Sequence, residues 1–337
     1  MSIFFLQTLR TIFTASLTAS IFCAISTAIA PDAHAELDQA TTTSEIKAVK
    51  SRLDPKQKAI IDRLDARLDE KSRKQIAATM RDITLRTASG QYSEDLITAI
   101  ASQVYGHKVS MDIAGDFFAI AIKRYPNNCF LPYFRGASWL VVDENKLAEP
   151  DLLCAIALNP RYSEPHEKYG LLLRNQKQDK RALQEMLIAE KLSPSKPSIQ
   201  CNKADLLVLL GQYEAAIAAY QKATALSDGH QNWLADFHRG RLLLRLKRYG
   251  EAYEVFKHLR TLNDQPKSGI PTRMAECLIG LKRYKEAAQI LQKVLETYDD
   301  IDTHRLLLKA YQAMGDKAGI ARETKFVNEF DGDLRPF

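Results

Sequence analysis

The chain has 337 residues, of which 46% are hydrophobic and 26% charged, and a formal net charge of +6. This composition is typical of a soluble folded protein, and the charge excess is too small for the length to indicate nucleic acid as a partner. Five cysteines are also too few for a disulfide-held scaffold.

Residues 1–35 have the features of a secretory signal peptide. Arg10 supplies an early positive charge, residues 11–30 contain no charge, and an A-x-A end closes at Ala35. The alternative is an uncleaved membrane anchor over residues 11–30, but its four threonines and three serines make a poor bilayer span. We therefore predict cleavage after Ala35, a periplasmic or secreted protein, and no stable membrane insertion after cleavage.

Residues 36–94 have a different pattern from the rest of the chain. Their first part is polar, and two apolar stripes of helical period follow it. The stripes are Ile60, Ile61, Leu64 and Leu68, and then Ile76, Met80 and Ile83. We predict a helical N-terminal cap, built as a divergent hairpin. A short coiled-coil arm is the alternative, although sustained heptads are missing.

Helix-stopping residues recur at a nearly constant spacing from residue 126 onwards. The three prolines stand 34 residues apart, and the three aspartates continue the series at steps of 34, 36 and 35: Pro126, Pro160, Pro194, Asp228, Asp264 and Asp299. A fixed period of this size is typical of stacked structural units. Because proline and aspartate break or cap helices, each of these positions predicts the end of a helix.

The residues ahead of each stop are spaced to share one helix face. The recurring positions are Ala216, Tyr220 and Ala223 in one unit and Ala252, Phe256 and Leu259 in the next. Spacings of four and three put each set on a single face, which we expect to be buried. The small alanine allows two helices to approach closely, and the aromatic residue fills the gap between hairpins.

These features resemble the tetratricopeptide repeat, a 34-residue helical hairpin with small residues in both helices and a proline-type stop. The best match has Tyr169, Gly170 and Leu173 in the first helix, Ala182, Met186 and Ala189 in the second, and Pro194 at the end. The resemblance covers residues 95–334, in seven units that begin near residues 95, 129, 163, 197, 233, 268 and 301. It implies an all-α fold, a right-handed superhelical solenoid.

The motifs of common enzymes and metal sites are missing from the sequence. It contains no glycine-rich phosphate loop, HExxH, CxxC or G-x-S-x-G. His166 and Glu167 begin like a zinc motif, but Gly170 stands where the second histidine would be. We therefore predict no catalytic residue, no metal site and no cofactor, and we expect that the protein is not an enzyme.

Two cysteines raise a separate hypothesis. Cys129 and Cys154 belong to helix ends that meet in an antiparallel hairpin, so a disulfide is one interpretation and two small buried hydrophobic residues is the other. Cys201 and Cys277 lie two units apart, and we expect them to stay unpaired.

The resemblance also implies a binding surface, because members of the family bind ligands along a concave face lined by first helices. Carried over by repeat position, this face consists of Tyr133, Glu167, Arg174, Asn175, Asp205, Phe237, Arg241, Arg245, Glu276, Arg305 and Lys309. Its C-terminal half is mainly basic, and guanidinium groups match carboxylates. The predicted ligand is an extended or acidic segment of a protein partner. The alternative is a solvated face whose arginines pair with neighbouring residues.

These observations favour a periplasmic or secreted adaptor that scaffolds a cell-envelope assembly. A glycan-binding component of polysaccharide export is a second class, weakened because the groove has few aromatic residues to stack on sugars. An enzyme with a site dispersed over several repeats is a third, but no spacing ties suitable residues together.

Overall fold

The structure is a computed structural model that describes residues 44–69, 72–227, 233–262 and 269–333. These residues form helices joined by turns, without a β-strand among them. By its internal contacts the chain divides into two compact units, Met1–Ala121 and Ile122–Phe337. The predicted signal peptide, its cleavage site after Ala35, and two of the predicted helix stops, Asp228 and Asp264, lie outside the described residues.

The described residues of the first unit form four helices and most of a fifth. They are α1 (Ser44–Ser51), α2 (Pro55–Leu68), α3 (Arg73–Ala88), α4 (Glu94–Gly106) and α5 (Met111–Arg124). Helices α1 and α2 both pack against α4, and α3 packs against α2. Helix α2 begins where Asp54 and Gln57 form a reciprocal capping box ahead of Pro55, which leaves few unsatisfied amides at its start.

The two predicted apolar stripes form the inner faces of α2 and α3. Ile61, Leu64 and Leu68 are buried on α2, and Met80 and Ile83 on α3. Helix α1 comes from sequence that looked merely polar. It is held by the few apolar side chains that it contains, since Ile46, Val49 and the following Leu53 are all buried.

The second unit is a row of helices that pack in chain order, each against the next one along the sequence. They are α6 (Phe130–Val141), α7 (Asn145–Leu158), α8 (Ser163–Asn175), α9 (Asp179–Leu192), α10 (Pro197–Leu209), α11 (Tyr213–Leu226), α12 (Trp233–Arg245), α13 (Tyr249–Leu262), α14 (Ile270–Gly280), α15 (Tyr284–Leu295), α16 (Ile301–Met314) and α17 (Lys317–Asp333). This all-α, sequentially packed arrangement is the predicted solenoid fold. We call the earlier helix of each pair the first helix and the later one the second helix.

The predicted helix ends and buried faces are confirmed wherever they fall on described residues. Helices α5, α7 and α9 each end two residues before a proline: Pro126, Pro160 and Pro194. The recurring positions on α11 and α13 are all buried: Ala216, Tyr220, Ala223, Ala252, Phe256 and Leu259. The helical period therefore sets which faces are buried, and the prolines set where these helices end, as the sequence predicts.

Glycine on a first helix allows close contact with a large side chain from a second helix. A Cβ placed on Gly240 would lie 2.7 Å from Cζ of Phe256, and one placed on Gly280 would lie 2.4 Å from the ring of Tyr249. Neither ring could stay where it is beside a larger residue.

None of the described helices is both long enough and apolar enough to cross a bilayer.

Candidate functional site

First helices of neighbouring hairpins lie side by side in the second unit. Helix α8 contacts α6 and α10, and α14 contacts α16. Side chains at matching positions of successive first helices can therefore act on one another across the repeat boundary. Charged residues on this surface form what we call the first-helix strip: Arg174, Asp205, His238, Arg241, Arg245, Arg273, Glu276, Arg305 and Lys309.

Two of the predicted binding residues lie in the core instead. Tyr133 is 5% exposed, with its ring edge-on to that of Tyr162 at 5.1 Å between centroids. Phe237 is 2% exposed and packs edge-on against Trp233 and Phe256. Because large aromatic rings gain more free energy from burial than from solvation, these two side chains support the hairpins.

Asp205 is the most highly connected of the predicted residues. Its carboxylate accepts a hydrogen bond from the Tyr220 hydroxyl and lies 3.0 Å from Nδ1 of His238. Its other oxygen is 3.7 Å from a guanidinium nitrogen of Arg174. One carboxylate therefore ties together α8, α10, α11 and α12.

The surroundings of Asp205 determine its charge. Burial by itself raises the pKa of this carboxyl, but the charge and hydrogen bond of His238, the Tyr220 hydroxyl and the charge of Arg174 more than compensate and hold the pKa at about 2. Burial together with the Asp205 charge raises the pKa of Tyr220 well above its usual range. Asp205 is therefore an anion that the protein itself already neutralises.

The strip becomes more basic beyond Asp205. Arg241 is exposed, yet the packing around its side chain, followed by the nearby charge of Arg273, lowers its pKa. Arg273 in turn binds Glu276 on its own helix at 2.8 Å. Two guanidinium groups close enough to repel each other create a positive potential that a bound anion would relieve.

The remaining predicted residues make local contacts. The Arg245 guanidinium lies over the Tyr213 ring, 5.1 Å from its centroid, and Arg305 lies 3.4 Å from Asp302. Asn175 is exposed and donates a long hydrogen bond of 3.4 Å to Asn145, and Lys309 is exposed on α16. The structure thus brings Arg174, Asp205 and Arg241 together and leaves the others distributed along the strip.

Glu167, which the repeat register also assigned to the binding face, is fully buried. It is 1% exposed, and its two carboxylate oxygens accept hydrogen bonds from Lys196 Nζ at 2.8 Å and from Asn202 Nδ2 at 2.9 Å. Lys196 also lies 3.4 Å from Glu164. This ion network joins α8 to the start of α10, so Glu167 holds two hairpins together.

Two further sequence interpretations can be compared with the geometry. His166 is buried, with Nδ1 2.8 Å from Glu185 and Nε2 3.2 Å from the Pro160 carbonyl, so both ring nitrogens are used inside the hairpin. The proposed disulfide is not formed, and both cysteines are free. Cys129 is buried at the start of α6, whereas Cys154 lies on the exposed face of α7, so their side chains occupy different environments.

Sequence reasoning missed three residues that shape this surface: His238, Arg273 and Lys196. His238 follows the assigned Phe237 directly, and Arg273 occupies the corresponding position of the next unit. A search of that repeat position for charged residues would have found both. Nothing in the local pattern marks Lys196 as the partner of a glutamate in the preceding hairpin.

Comparison with known proteins adds an independent test. Two family models, each described as a tetratricopeptide repeat, match residues 201–265 and 243–310. No curated protein matches the chain.

Several solved structures resemble the fold. The C-terminal part of a TPR repeat-containing protein from Cytophaga hutchinsonii is 16% identical, with a TM-score of 0.58, covering 70% of this chain and 95% of that one. PilW, described as a widely conserved type IV pilus biogenesis factor, is 16% identical, with a TM-score of 0.55 and coverage of 64% and 98%. A tetratricopeptide repeat protein from Parabacteroides merdae is 20% identical, with a TM-score of 0.52 and coverage of 61% and 79%.

At these identities the structural likeness concerns the fold alone. The family matches, however, fall on the hairpins whose buried alanine and aromatic positions recur in the sequence. Together with the sequential helix packing, they show that residues 201–310 are built from tetratricopeptide repeats.

Proposed function

We propose that this protein is a non-catalytic adaptor of the cell envelope that binds an extended, acidic segment of a partner protein along the first-helix strip. The observation that carries the proposal is the charge balance of the strip. It contains five arginines and a lysine against two carboxylates: Arg174, Arg241, Arg245, Arg273, Arg305 and Lys309 against Asp205 and Glu276. Arg174 pairs with Asp205, Arg273 with Glu276 and Arg305 with Asp302, so the positive surplus consists of Arg241, Arg245 and Lys309.

The repeat geometry favours an extended ligand. Packed helices lie about 8–10 Å apart, whereas an extended chain advances about 3.3 Å per residue. A strand crossing successive first helices would therefore meet a new helix about every third residue. A segment with an acidic side chain at every third position fits this spacing.

The location and the adaptor role rest on separate supports. The signal-peptide pattern of residues 1–35 favours export, and the mature chain is then expected to begin at Glu36. PilW, which shares the fold, is described as a pilus biogenesis factor, and a role in assembling an envelope structure would be of the same kind. The sequence contains none of the catalytic motifs sought, which favours binding over catalysis.

The test is a fluorescence anisotropy titration with a labelled peptide that carries glutamate at every third residue. We expect the Arg241→Glu, Arg245→Glu double variant to bind it at least about tenfold more weakly, because two charge-assisted contacts become repulsive. A peptide of the same composition with its glutamates clustered should bind more weakly to the wild type.

The matched control is the Lys257→Glu, Lys285→Glu double variant. It changes the net charge equally, but at exposed positions of the second helices α13 and α15. Equal peptide affinity for the wild type and both double variants would refute the strip as the binding surface. Protein recovered from the periplasmic fraction should have the intact mass of a chain that begins at Glu36. An intact mass that includes residues 1–35 would contradict the export step.

A further inference from the structure

The solvent-facing side of α7 is apolar apart from Lys146 in its first turn. Its buried side already provides the hairpin contacts, through Ala148, Asp151, Leu152 and Ala155. The exposed side presents Leu147, Pro150, Leu153, Cys154, Ala157 and Leu158, which we call the outer face of α7. The exposed face of a surface helix normally carries polar and charged residues.

The equivalent side of another second helix shows what this position looks like when it faces water. Three repeats later, α13 exposes Glu251, Glu254, Lys257, His258 and Thr261 at five of the six matching positions, and the sixth is the partly buried Leu262. The outer face of α7 is therefore not a general property of second helices in this chain.

Neighbouring exposed side chains extend the same patch. Val141 and Val142 precede α7, and Leu187 and Ile188 occupy the positions on α9 that correspond to Leu153 and Cys154. Each of the large aliphatic side chains involved leaves between 37% and 58% of its surface exposed. Exposed apolar surface that is concentrated in one region of a soluble protein is often an interaction site.

Charges at the two ends of α7 indicate what covers it. Asp143 and Glu144 are exposed immediately before the helix, with Lys146 beside them, and Arg161 is exposed three residues after its end. One end is thus net negative and the other positive. If two copies of α7 meet antiparallel about a two-fold axis, each negative end faces the positive end of the other copy.

We propose that the outer face of α7 is a homodimer interface, in which α7 of one copy packs antiparallel against α7 of a second copy. The arrangement buries the leucines against each other, pairs Arg161 with the Asp143–Glu144 end, and opposes the two helix dipoles favourably. It also brings the two Cys154 thiols near the axis. This interface lies on second helices and leaves the first-helix strip available.

The first test measures the mass of the purified protein by sedimentation velocity over a concentration series. The wild type should show a monomer–dimer equilibrium, and Leu153→Glu should weaken it about a hundredfold or more, because it places an uncompensated charge in the contact. Gln221→Glu is the control, since it introduces the same residue at the equivalent exposed position of α11 and should leave the equilibrium unchanged.

Charge reversal distinguishes this arrangement from other dimers. Arg161→Glu and Glu144→Arg should each weaken association about tenfold, and the double variant should recover much of the loss. A short bismaleimide should crosslink the wild type, because Cys154 is the exposed thiol among the four described cysteines. Cys154→Ser should abolish the crosslink.

Two results would overturn the proposal: a wild type that stays monomeric at its highest soluble concentration, or a dimer that Leu153→Glu leaves intact. A dimer whose charge-reversed double variant does not recover would exclude the antiparallel packing. Far-UV circular dichroism of each variant checks that its helices are formed.

Discussion

At the scale of single residues, Asp205 illustrates how a partly buried charge becomes a structural element. It is contacted from α8, α11 and α12 by Arg174, Tyr220 and His238. A carboxylate in such a place costs free energy unless it is paired, and here every contact favours its ionised form. Three successive hairpins are therefore coupled through one side chain that the repeat register had assigned to a ligand.

The depressed pKa of Asp205 predicts a pH dependence of stability. Because the folded pKa is about 2 and an unfolded aspartate titrates near 3.9, the ionised form stabilises the fold fully above about pH 4. That contribution, about 2 kcal/mol in the free energy of unfolding, is lost as the pH falls towards 2. Urea unfolding should show the difference between the wild type and Asp205→Asn shrinking over this range.

Two features isolate the effect of Asp205. Burial opposes ionisation of Glu190, but hydrogen bonds from Lys203 and Lys222 hold its pKa at about 2, so it titrates in both proteins and cancels in the difference. Asp302→Asn, at an exposed carboxylate, should follow the wild-type profile. A difference that stays constant from pH 5 to pH 2 would show that Asp205 does not titrate in this way.

At the scale of elements, the described helix pairs from α4–α5 to α16–α17 all turn with the same backbone geometry. A residue with positive φ follows each first helix: Lys108, Asp143, Lys177, Gly211, Lys247, Lys282 and Gly315. The next amide then bonds back to a carbonyl five residues earlier, as Arg248 does to Leu243 at 2.9 Å. This is the Schellman pattern of helix ends, for which glycine is the preferred residue.

Lysine at such a turn is strained, and this predicts an unusual stabilising substitution. Lys247 has a φ of 59°, so Lys247→Gly should raise the free energy of unfolding by about 0.5–1 kcal/mol. The same change inside a helix, Lys257→Gly, should lower it by about 1 kcal/mol. Thermal denaturation of both variants provides the check, and two shifts of the same sign would contradict the proposed strain.

At the scale of the whole molecule, stability is distributed by neighbour contacts. Within Ile122–Phe337 each helix packs on the next, so a local defect should weaken the hairpins beside it most. Phe256 is fully buried and fills the space beside Gly240. Its ring belongs to a core that extends over α10 to α14.

We therefore expect Phe256→Ala to reduce the protection of backbone amides from hydrogen exchange near the substituted residue. We expect a cost of about 3–5 kcal/mol, the usual range for a buried aromatic residue, and faster amide exchange concentrated in α12 to α15. Helices α2 to α4, in the other unit, should keep their protection. Met314→Ala, at a partly exposed position, is the control. Hydrogen exchange that rises equally throughout would instead indicate one cooperative unit.

The sequence by itself determined the repeat and its helices. The stops at Pro126, Pro160 and Pro194, the buried faces of α11 and α13, and the apolar stripes of α2 and α3 follow from helical period and proline geometry. These depend on residues a few positions apart, so they can be read from the chain locally. The family resemblance depended on the same positions.

Only the tertiary structure decided which side chains reach solvent on that scaffold. Tyr133, Phe237 and Glu167 share the repeat positions of binding residues but are buried, while His238 and Lys196 pair with carboxylates about one repeat away. Such pairs depend on how neighbouring hairpins are superimposed, and that depends on the volumes of every side chain between them. The physical reason is that helix formation is local, whereas burial and ion pairing are set by contacts between residues about 30 positions apart.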